Sequence, residues 1–218
     1  MKIKNFMILL VAVTVVLTGC VNSKKTEEGN AKTEVKNPDE VPAVMAEHTE
    51  VIKAGDVVVY LDEVRYYAYN TQATYETYYM AEEKELDWNE MIYDGVPLEE
   101  AVKSTVLDTI CEREAIVSYA DEYNIKLEEG ELLEISDKVD NFFSETNEKF
   151  LAKVDVSHER MKAIFEKNAL FEKVKMKMED EESGKSEEAY KNWKKVNTVT
   201  TNEYWDAINY DTPIFMSE

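Results

Sequence analysis

Residues 97–124 read PLEEAVKSTVLDTICEREAIVSYADEYN and have the pattern of one long amphipathic helix. Apolar residues recur in this segment at helical spacing, on a face that begins at Leu98. Pro97 suits the first helical position, because its missing N–H would have no partner there. Asn124 suits the left-handed conformation that ends many helices, and Ile125 would fold back as the hydrophobic contact of the stop. We therefore expect the other helices to pack on this one.

Residues 1–20 have the features of a bacterial export signal. Lys2 and Lys4 give a positive start, and an almost unbroken apolar run follows, shorter than the ~20 residues of a membrane-spanning helix. Residues 17–20 read LTGC, which resembles the lipobox of bacterial lipoproteins. The resemblance implies that Cys20 is lipidated and anchors the protein to the outer face of the bacterial membrane, in the cell envelope. The alternative is a plain secretory signal with an incidental cysteine.

The remaining cysteine and the histidines predict no reactive centre. With Cys20 lipidated, Cys111 has no partner for an intrachain disulfide. Cys111 lies on the apolar face of the central helix, which favours a buried, inert thiol over a nucleophile. His48 and His158 are the two histidines, and neither lies at metal-ligand spacing. We therefore predict no metal site and no cofactor.

The chain is strongly acidic, with a formal net charge of −21 at pH 7. Such a surface repels nucleic acid and anionic lipid headgroups, so neither is an expected partner. It could attract basic, unfolded polypeptides. The composition leaves the oligomeric state open.

The domain prediction separates a tether from one folded unit. Residues 21–50 are polar and lack periodicity, which predicts a disordered tether. Residues 51–218 are predicted to form a mainly α-helical domain, with residues 186–218 packing back on it. Two β-branched segments, 57–60 and 196–201, are strand candidates. We expect them to pair as a two-stranded antiparallel sheet joining the N- and C-terminal segments, since a lone strand leaves its backbone groups unsatisfied.

Helix boundaries in the second half rest on capping residues. Ser157 is a favourable N-cap for a helix that begins at His158. The acidic run 179–182 should fray, because negative charge is unfavourable at a helix C-terminus. The predicted helices besides the central one are 61–85, 128–145, 158–180, a short helix capped by Ser186 and a turn capped by Asn202.

The predicted helix that begins at Leu61 has large apolar residues on two faces. The predicted core face contains Val64, Ala68, Tyr75 and Tyr79. Tyr66, Tyr69 and Met80 fall on the opposite flank, where large apolar groups often mark an interaction surface. The alternative is that this second set packs under the C-terminal segment.

Several of these segments carry helix-boundary patterns that resemble those of a known family. They are 57–64, where a strand leads into a helix; 107–131, where a helix ending in Ala120-x-x-x-x-Ile125 precedes an acidic helix start; 156–173; and 189–208. Their order is similar to the N-terminal chaperone domain of the SurA/PrsA extracytoplasmic foldases. The family's usual Asn-Gly after the first strand is missing here. The resemblance implies binding of unfolded or peptide segments after export.

One departure from that family concerns catalysis. Its members commonly carry a parvulin-type prolyl isomerase domain before the C-terminal segment, where this chain has only residues 179–185. That is far below the ~50 residues of a small domain. His48 and His158 match no parvulin motif, so prolyl isomerisation is not supported by the sequence.

The functional prediction is a membrane-tethered, chaperone-like lipoprotein without catalytic residues. Its expected partners are unfolded or newly exported polypeptides, with Tyr66, Tyr69 and Met80 forming part of the client surface. Two alternatives stay open. One is a lipoprotein that uses the same scaffold for one specific ligand or partner, and the other is a residual peptidyl-prolyl isomerase.

Overall fold

The computed structural model describes residues 37–92 and 95–215. This part of the chain is mainly helical, as predicted, and contains a small antiparallel sheet. The predicted signal, Cys20 and the first part of the tether lie outside the described residues. No helix within the described ranges combines the length and apolar character needed to cross a membrane. The elements are α1 (Ala43–Ala46), β1 (Glu50–Ala54), β2 (Val57–Tyr60), α2 (Leu61–Ala81), α3 (Leu98–Val117), α4 (Glu129–Glu145), α5 (Glu148–Val154), α6 (His158–Glu181), α7 (Lys185–Val196), β3 (Val199–Thr201) and α8 (Glu203–Ala207).

The sheet has three strands in the order β2-β1-β3, rather than the predicted two. The predicted pairing of β2 with the C-terminal strand is wrong, because β1 lies between them. Ile52 of β1 faces Val59 on one side and Thr201 on the other. Gly55 and Asp56 form the turn of a hairpin that places β1 beside β2. The sheet still joins the N- and C-terminal parts of the domain, since β1 pairs with β3.

Part of the predicted tether is folded. A 3-10 helix, Pro38–Glu40, precedes α1, and Ala46 is fully buried. Buried Arg65 donates from Nη2 to the carbonyl of Val41 at 2.8 Å. The carboxylate of Asp155 accepts the backbone N–H of Ala43 at 3.0 Å. These partners are distant in sequence, so local composition could not reveal them.

The central helix α3 contacts α2, α6 and α7, whereas α4 packs on α6 and α5 packs on α2, so the predicted packing on α3 is observed only in part. Helix α3 ends at Val117, earlier than expected, and turns follow up to Asn124. Asn124 adopts the predicted left-handed conformation, with φ 52°. The N–H of Ile125 donates to the carbonyl of Ala120 at 2.8 Å, which fixes the turn away from α3.

Ser157 caps α6 as predicted, accepting the backbone N–H of Arg160 at 3.2 Å. The C-terminal end of α6 is tied to the next helix, contrary to the predicted fraying. The carboxylate of Glu179 accepts the N–H of Gly184 at 2.7 Å and of Ser186 at 3.1 Å. The helix α7 therefore begins at Lys185, and Ser186 lies inside it rather than at its N-cap.

Candidate functional site

After α8 the chain runs as an irregular segment, residues 208–215, which we call the C-terminal strap. Tyr210 and Ile214 are buried, with 1% and 2% of their surface exposed. Asp211 and Thr212 between them are exposed. The strap therefore follows the surface and inserts three apolar side chains into the core, those of Ile208, Tyr210 and Ile214.

Side chains from α2, α3 and α5 donate hydrogen bonds to carbonyl groups of the strap. These bonds join Lys103 to Ile208 (2.6 Å), Gln72 to Tyr210 (3.2 Å) and Thr212 (3.0 Å), and Lys153 to Thr212 (3.0 Å). Their acceptors are alternate carbonyls along the strap. This is the spacing of an extended chain, in which every second peptide group points to the same side.

Two carboxylates accept backbone N–H groups of the strap. Glu76 accepts those of Ile214 at 2.9 Å and Phe215 at 2.6 Å. Glu99 accepts that of Tyr210, and burial raises the pKa of the Glu99 carboxyl. Both the C=O and the N–H groups of the strap's backbone are therefore bound by side chains of the domain. We call the set Gln72, Glu76, Glu99, Lys103 and Lys153 the main-chain clamp.

The members of the main-chain clamp also hold each other. Gln72 donates to Glu76 at 2.8 Å and accepts from Lys153 at 3.0 Å. Gln72 and Glu76 are almost fully buried, at 0% and 1% exposed. Burial lowers the pKa of Lys103 and of Lys153. Buried polar groups are stable only when hydrogen-bonded, and here the strap's main chain supplies several of those bonds.

Aromatic rings form the pocket for the Tyr210 side chain of the strap. The Tyr210 ring packs against Trp88 with centroids 4.6 Å apart, and Trp88 packs against Tyr75 at 5.6 Å. The Tyr210 hydroxyl is buried and has no hydrogen-bond partner among the described residues. Burial raises its pKa. The pocket is thus suited to an apolar aromatic ring.

This arrangement recognises a polypeptide mainly through its backbone. Bonds to peptide N–H and C=O groups do not depend on the side chain at that position, so many sequences could satisfy the same donors and acceptors. Selectivity then comes from the apolar pockets. Chemically, the clamp can hold an extended chain in one direction and one register.

The three residues predicted as a client surface lie in different environments. Tyr69 is fully buried, and its hydroxyl donates to Asp39. Tyr66 is half-buried, with its ring 6.3 Å from Phe142, and burial raises its pKa to about 12. Met80 is exposed near the end of α2. The structure does not bring them together on one surface, and Tyr69 is inaccessible to a client in this conformation.

Tyr69 nevertheless lies beside the main-chain clamp, because the Lys153 ammonium sits 4.5 Å from its ring centroid. Gln72 and Glu76 were missed in the sequence analysis. Both follow Ala68 at four-residue steps, which places them on the predicted core face of α2. Polar residues on an apolar helical face were the signal that could have identified the clamp.

A second polar cluster links α2, α3 and α6. Lys167 binds buried Glu63 at 2.9 Å and also pairs with Glu114. Arg160 forms two bonds to buried Asp62, at 2.5 Å and 3.2 Å. Burial raises the pKa of the Glu63 carboxyl, although Lys167 opposes the increase.

A cleft of ≈ 110 Å³ opens over this cluster, beside β2, with Tyr60 and Val58 in its wall. Ligand sites usually occupy roughly 300–1,000 Å³, so the cleft is small. The two cations that line it, Arg160 and Lys167, are already paired with carboxylates. We therefore interpret the cluster as a structural link between helices, and the main-chain clamp as the better candidate site.

The Cys111 side chain is buried, whereas both histidines lie at the surface. Cys111 is buried, and burial raises the pKa of its thiol to about 12. The His48 side chain is 79% exposed, and His158 lies 2.8 Å from Asp140 on the surface. Within residues 37–92 and 95–215, no group of histidine, cysteine, aspartate and glutamate side chains is arranged to hold a metal ion.

Comparison with known proteins assigns no family. No family model, no curated protein and no solved structure matches this chain.

Proposed function

We propose that the protein is a membrane-tethered, extracytoplasmic, chaperone-like lipoprotein that binds extended segments of unfolded exported polypeptides in the main-chain clamp. The observation that supports this is the strap itself. Side-chain bonds hold the backbone of residues 208–215 from the carbonyl of Ile208 to the N–H of Phe215, and the chain bends at Thr212, Ile214 and Phe215. A client segment would take the same place.

Backbone recognition fits the chemistry of unfolded clients. Unfolded chains of different sequence share peptide groups and exposed apolar side chains, and the clamp with its aromatic pocket offers partners for both. The formal net charge of −21 adds a long-range attraction for basic segments. Affinity for many sequences, with modest selectivity, is the expected result.

The strap is suited to being exchanged for a client. Side-chain bonds and three buried residues, Ile208, Tyr210 and Ile214, hold it, while Asp211 and Thr212 stay exposed and no strand pairs with it among the described residues. When no client is bound, the strap satisfies the buried polar atoms of Gln72 and Glu76. A client must displace it, which lowers the apparent affinity by the fraction of molecules with an open clamp.

The export and anchoring part of the proposal depends on residues 1–20 and on the lipobox-like LTGC that ends at Cys20. A lipid-modified Cys20 would hold the clamp outside the membrane, where exported chains emerge unfolded. Radiolabelled fatty acid should be incorporated into the wild-type chain and not into the Cys20→Ser variant. Incorporation into both, or into neither, would contradict the anchor.

The binding function is tested with the Cys20→Ser full chain and two unrelated aggregation-prone unfolded proteins. We expect aggregation of both to be suppressed at near-stoichiometric amounts. The Ile214→Ser variant, which weakens the strap, should suppress aggregation at lower concentration. Leu133→Ser is the matched control, since Leu133 is 64% exposed on α4 and its loss should change nothing.

The same experiment separates the alternatives. If the aggregation of neither protein is suppressed, the chaperone proposal is wrong and binding of one dedicated partner is favoured. Loss of aggregation suppression in the Leu133→Ser control would mean that exposed apolar surface binds the clients instead of the clamp. Prolyl isomerisation above background in a parallel assay would support a residual isomerase.

A further inference from the structure

The strap sequence, YDTPIF at residues 210–215, shows which side chains the main-chain clamp accommodates. From it we propose that the clamp prefers segments with a bulky aromatic residue and, four positions later, a bulky aliphatic residue that follows a proline. This inference rests on the proposed function, because it treats the strap as an internal model of the client. It names the ligand class: extended, proline-containing apolar segments.

Within residues 210–215, Tyr210 and Ile214 are the two buried anchors, and their spacing is fixed. Tyr210 and Ile214 are 1% and 2% exposed, whereas Asp211 and Thr212 are exposed and Pro213 is half-buried. Burial of one such apolar side chain is worth roughly 1.5–3 kcal/mol, or about tenfold or more in affinity. The residues between the anchors contribute their backbone instead, so their side chains should be interchangeable.

The first pocket favours an aromatic ring without a polar group. Tyr210 packs at 4.6 Å on Trp88, yet its buried hydroxyl has no hydrogen-bond partner among the described residues. A buried polar group without a partner is unfavourable. Phenylalanine at this position should therefore bind at least as tightly as tyrosine.

Proline fits position 213 because the clamp does not need an N–H there. The bonds on either side use the carbonyl of Thr212 and the N–H groups of Ile214 and Phe215. Proline has no N–H, and its fixed φ holds the chain extended before binding. Proline two positions later would remove an N–H that donates to buried Glu76, and leave that carboxylate short of a donor.

The register is fixed by the same bonds. Gln72 takes the carbonyls of Tyr210 and Thr212, and Glu76 takes the next two N–H groups after Pro213. Inserting one residue between the anchors shifts Ile214 and its N–H by one position relative to Gln72 and Glu76, which are fixed on α2. The two anchors and the backbone bonds could then no longer form together.

The test uses the Cys20→Ser full chain with the added change Ile214→Ser and a fluorescent peptide, NYDTPIF, measured by anisotropy. We expect saturable binding, at least about tenfold weaker when the tyrosine or the isoleucine of the peptide is replaced by serine. Phenylalanine in place of the tyrosine should bind equally or more tightly. Exchange of the aspartate and threonine for serine should leave binding unchanged.

Two further peptides test the proline and the register. NYDTAIF should bind about 2–5-fold more weakly, because the peptide loses its extended bias. NYDTAIP, with the proline at the position of Phe215, and NYDGTPIF, with one inserted residue, should bind at least about tenfold more weakly than NYDTPIF. Phe215→Ser is the milder strap variant for the same panel, should Ile214→Ser disturb folding, as checked by circular dichroism.

The outcomes distinguish this inference from the proposed function. If unfolded proteins are bound but all peptides of the panel bind alike, the preference is wrong and clamp binding of clients stands. If NYDTPIF binds with the predicted pattern and unfolded proteins are not bound, the sequence preference is supported. The clamp then binds only sequences like its own strap, and the proposed function is wrong. If no peptide binds to either strap variant, the inference is overturned.

Discussion

The charge of Lys167 links three helices. Its ammonium pairs with buried Glu63 and partly buried Glu114 in the contact between α2, α3 and α6. Burial opposes the charge on Lys167, but the two carboxylates outweigh it and raise the pKa of the ammonium. Removal of one partner of a buried pair is more harmful than loss of the whole pair, because it leaves uncompensated charge.

Lys167→Met should therefore lower the free energy of unfolding by about 3 kcal/mol, at the low end for buried pairs because Lys167 is 25% exposed. Urea denaturation followed by circular dichroism measures the change. Lys175→Met is the matched control, since its pair with Glu112 is partly exposed at 37% and 29%. The control should lose less than about 1 kcal/mol. Equal losses in the two variants would contradict the structural role of the buried pair.

Glu63 predicts a pH dependence of stability. Its pKa is raised by burial above the ordinary 4.5, so native Glu63 binds its proton at a higher pH than unfolded Glu63. Between the two pKa values the native state carries more protons, and stability then rises as the pH falls. Relative to Glu63→Gln, the wild-type chain should gain unfolding free energy on acidification through the window just above pH 4.5. A constant difference across that window would refute the raised pKa.

Among the elements, the β1–β2 hairpin changes the fold most from what local sequence indicated. Gly55 adopts φ 62° in its turn, and an added Cβ would lie 2.2 Å from Oδ1 of Asn197. The amide of Asn197 is itself held by a bond to the carbonyl of Trp193 at 2.9 Å. The turn thus needs glycine both for its backbone and for its close approach to the end of α7.

Gly55→Ala should destabilise the protein by about 2 kcal/mol, combining left-handed strain with overpacking. Gly130→Ala is the opposite case, because Gly130 lies in the first turn of α4 and an added Cβ meets nothing within 4 Å. It should stabilise the protein by roughly 0.5–1 kcal/mol. Thermal unfolding of the two variants should therefore move in opposite directions. Stabilisation of the protein by Gly55→Ala would show that the hairpin turn is misplaced.

Periodicity and capping predicted the helices well. The start of α6 after Ser157, the left-handed Asn124 and the cap of α8 by Asn202 all follow from local rules, and local rules are what one sequence contains. The place of β1 was not predictable in this way. Its partners include Thr201, far along the chain, and a short strand at the end of a polar segment resembles linker in composition.

For the molecule as a whole, the candidate site could be predicted only in part. The sequence places Gln72 and Glu76 on the inner face of α2, but their meaning depends on a segment that lies far away in the sequence. The predicted Tyr66, Tyr69 and Met80 were chosen for exposure, and Tyr69 is buried instead. Backbone recognition leaves no side-chain motif on the bound segment, so sequence alone could not reveal the clamp.

The proposed function requires a client to replace the C-terminal strap in the main-chain clamp. Both cannot satisfy Gln72 and Glu76 at once, so client binding must release the strap. The rest of the domain, centred on α3, should keep its packing. Strap release and domain stability are therefore separate observables of one binding event.

Hydrogen–deuterium exchange of the Cys20→Ser full chain, with and without excess unfolded client protein, measures both directly. Replacement of the strap by a client predicts that amides of the strap, among them Ile214 and Phe215, exchange faster when client is bound, while those of α2 and α3 stay protected. If client binds and the strap amides stay equally protected, clients do not bind in the main-chain clamp. They would then occupy another surface.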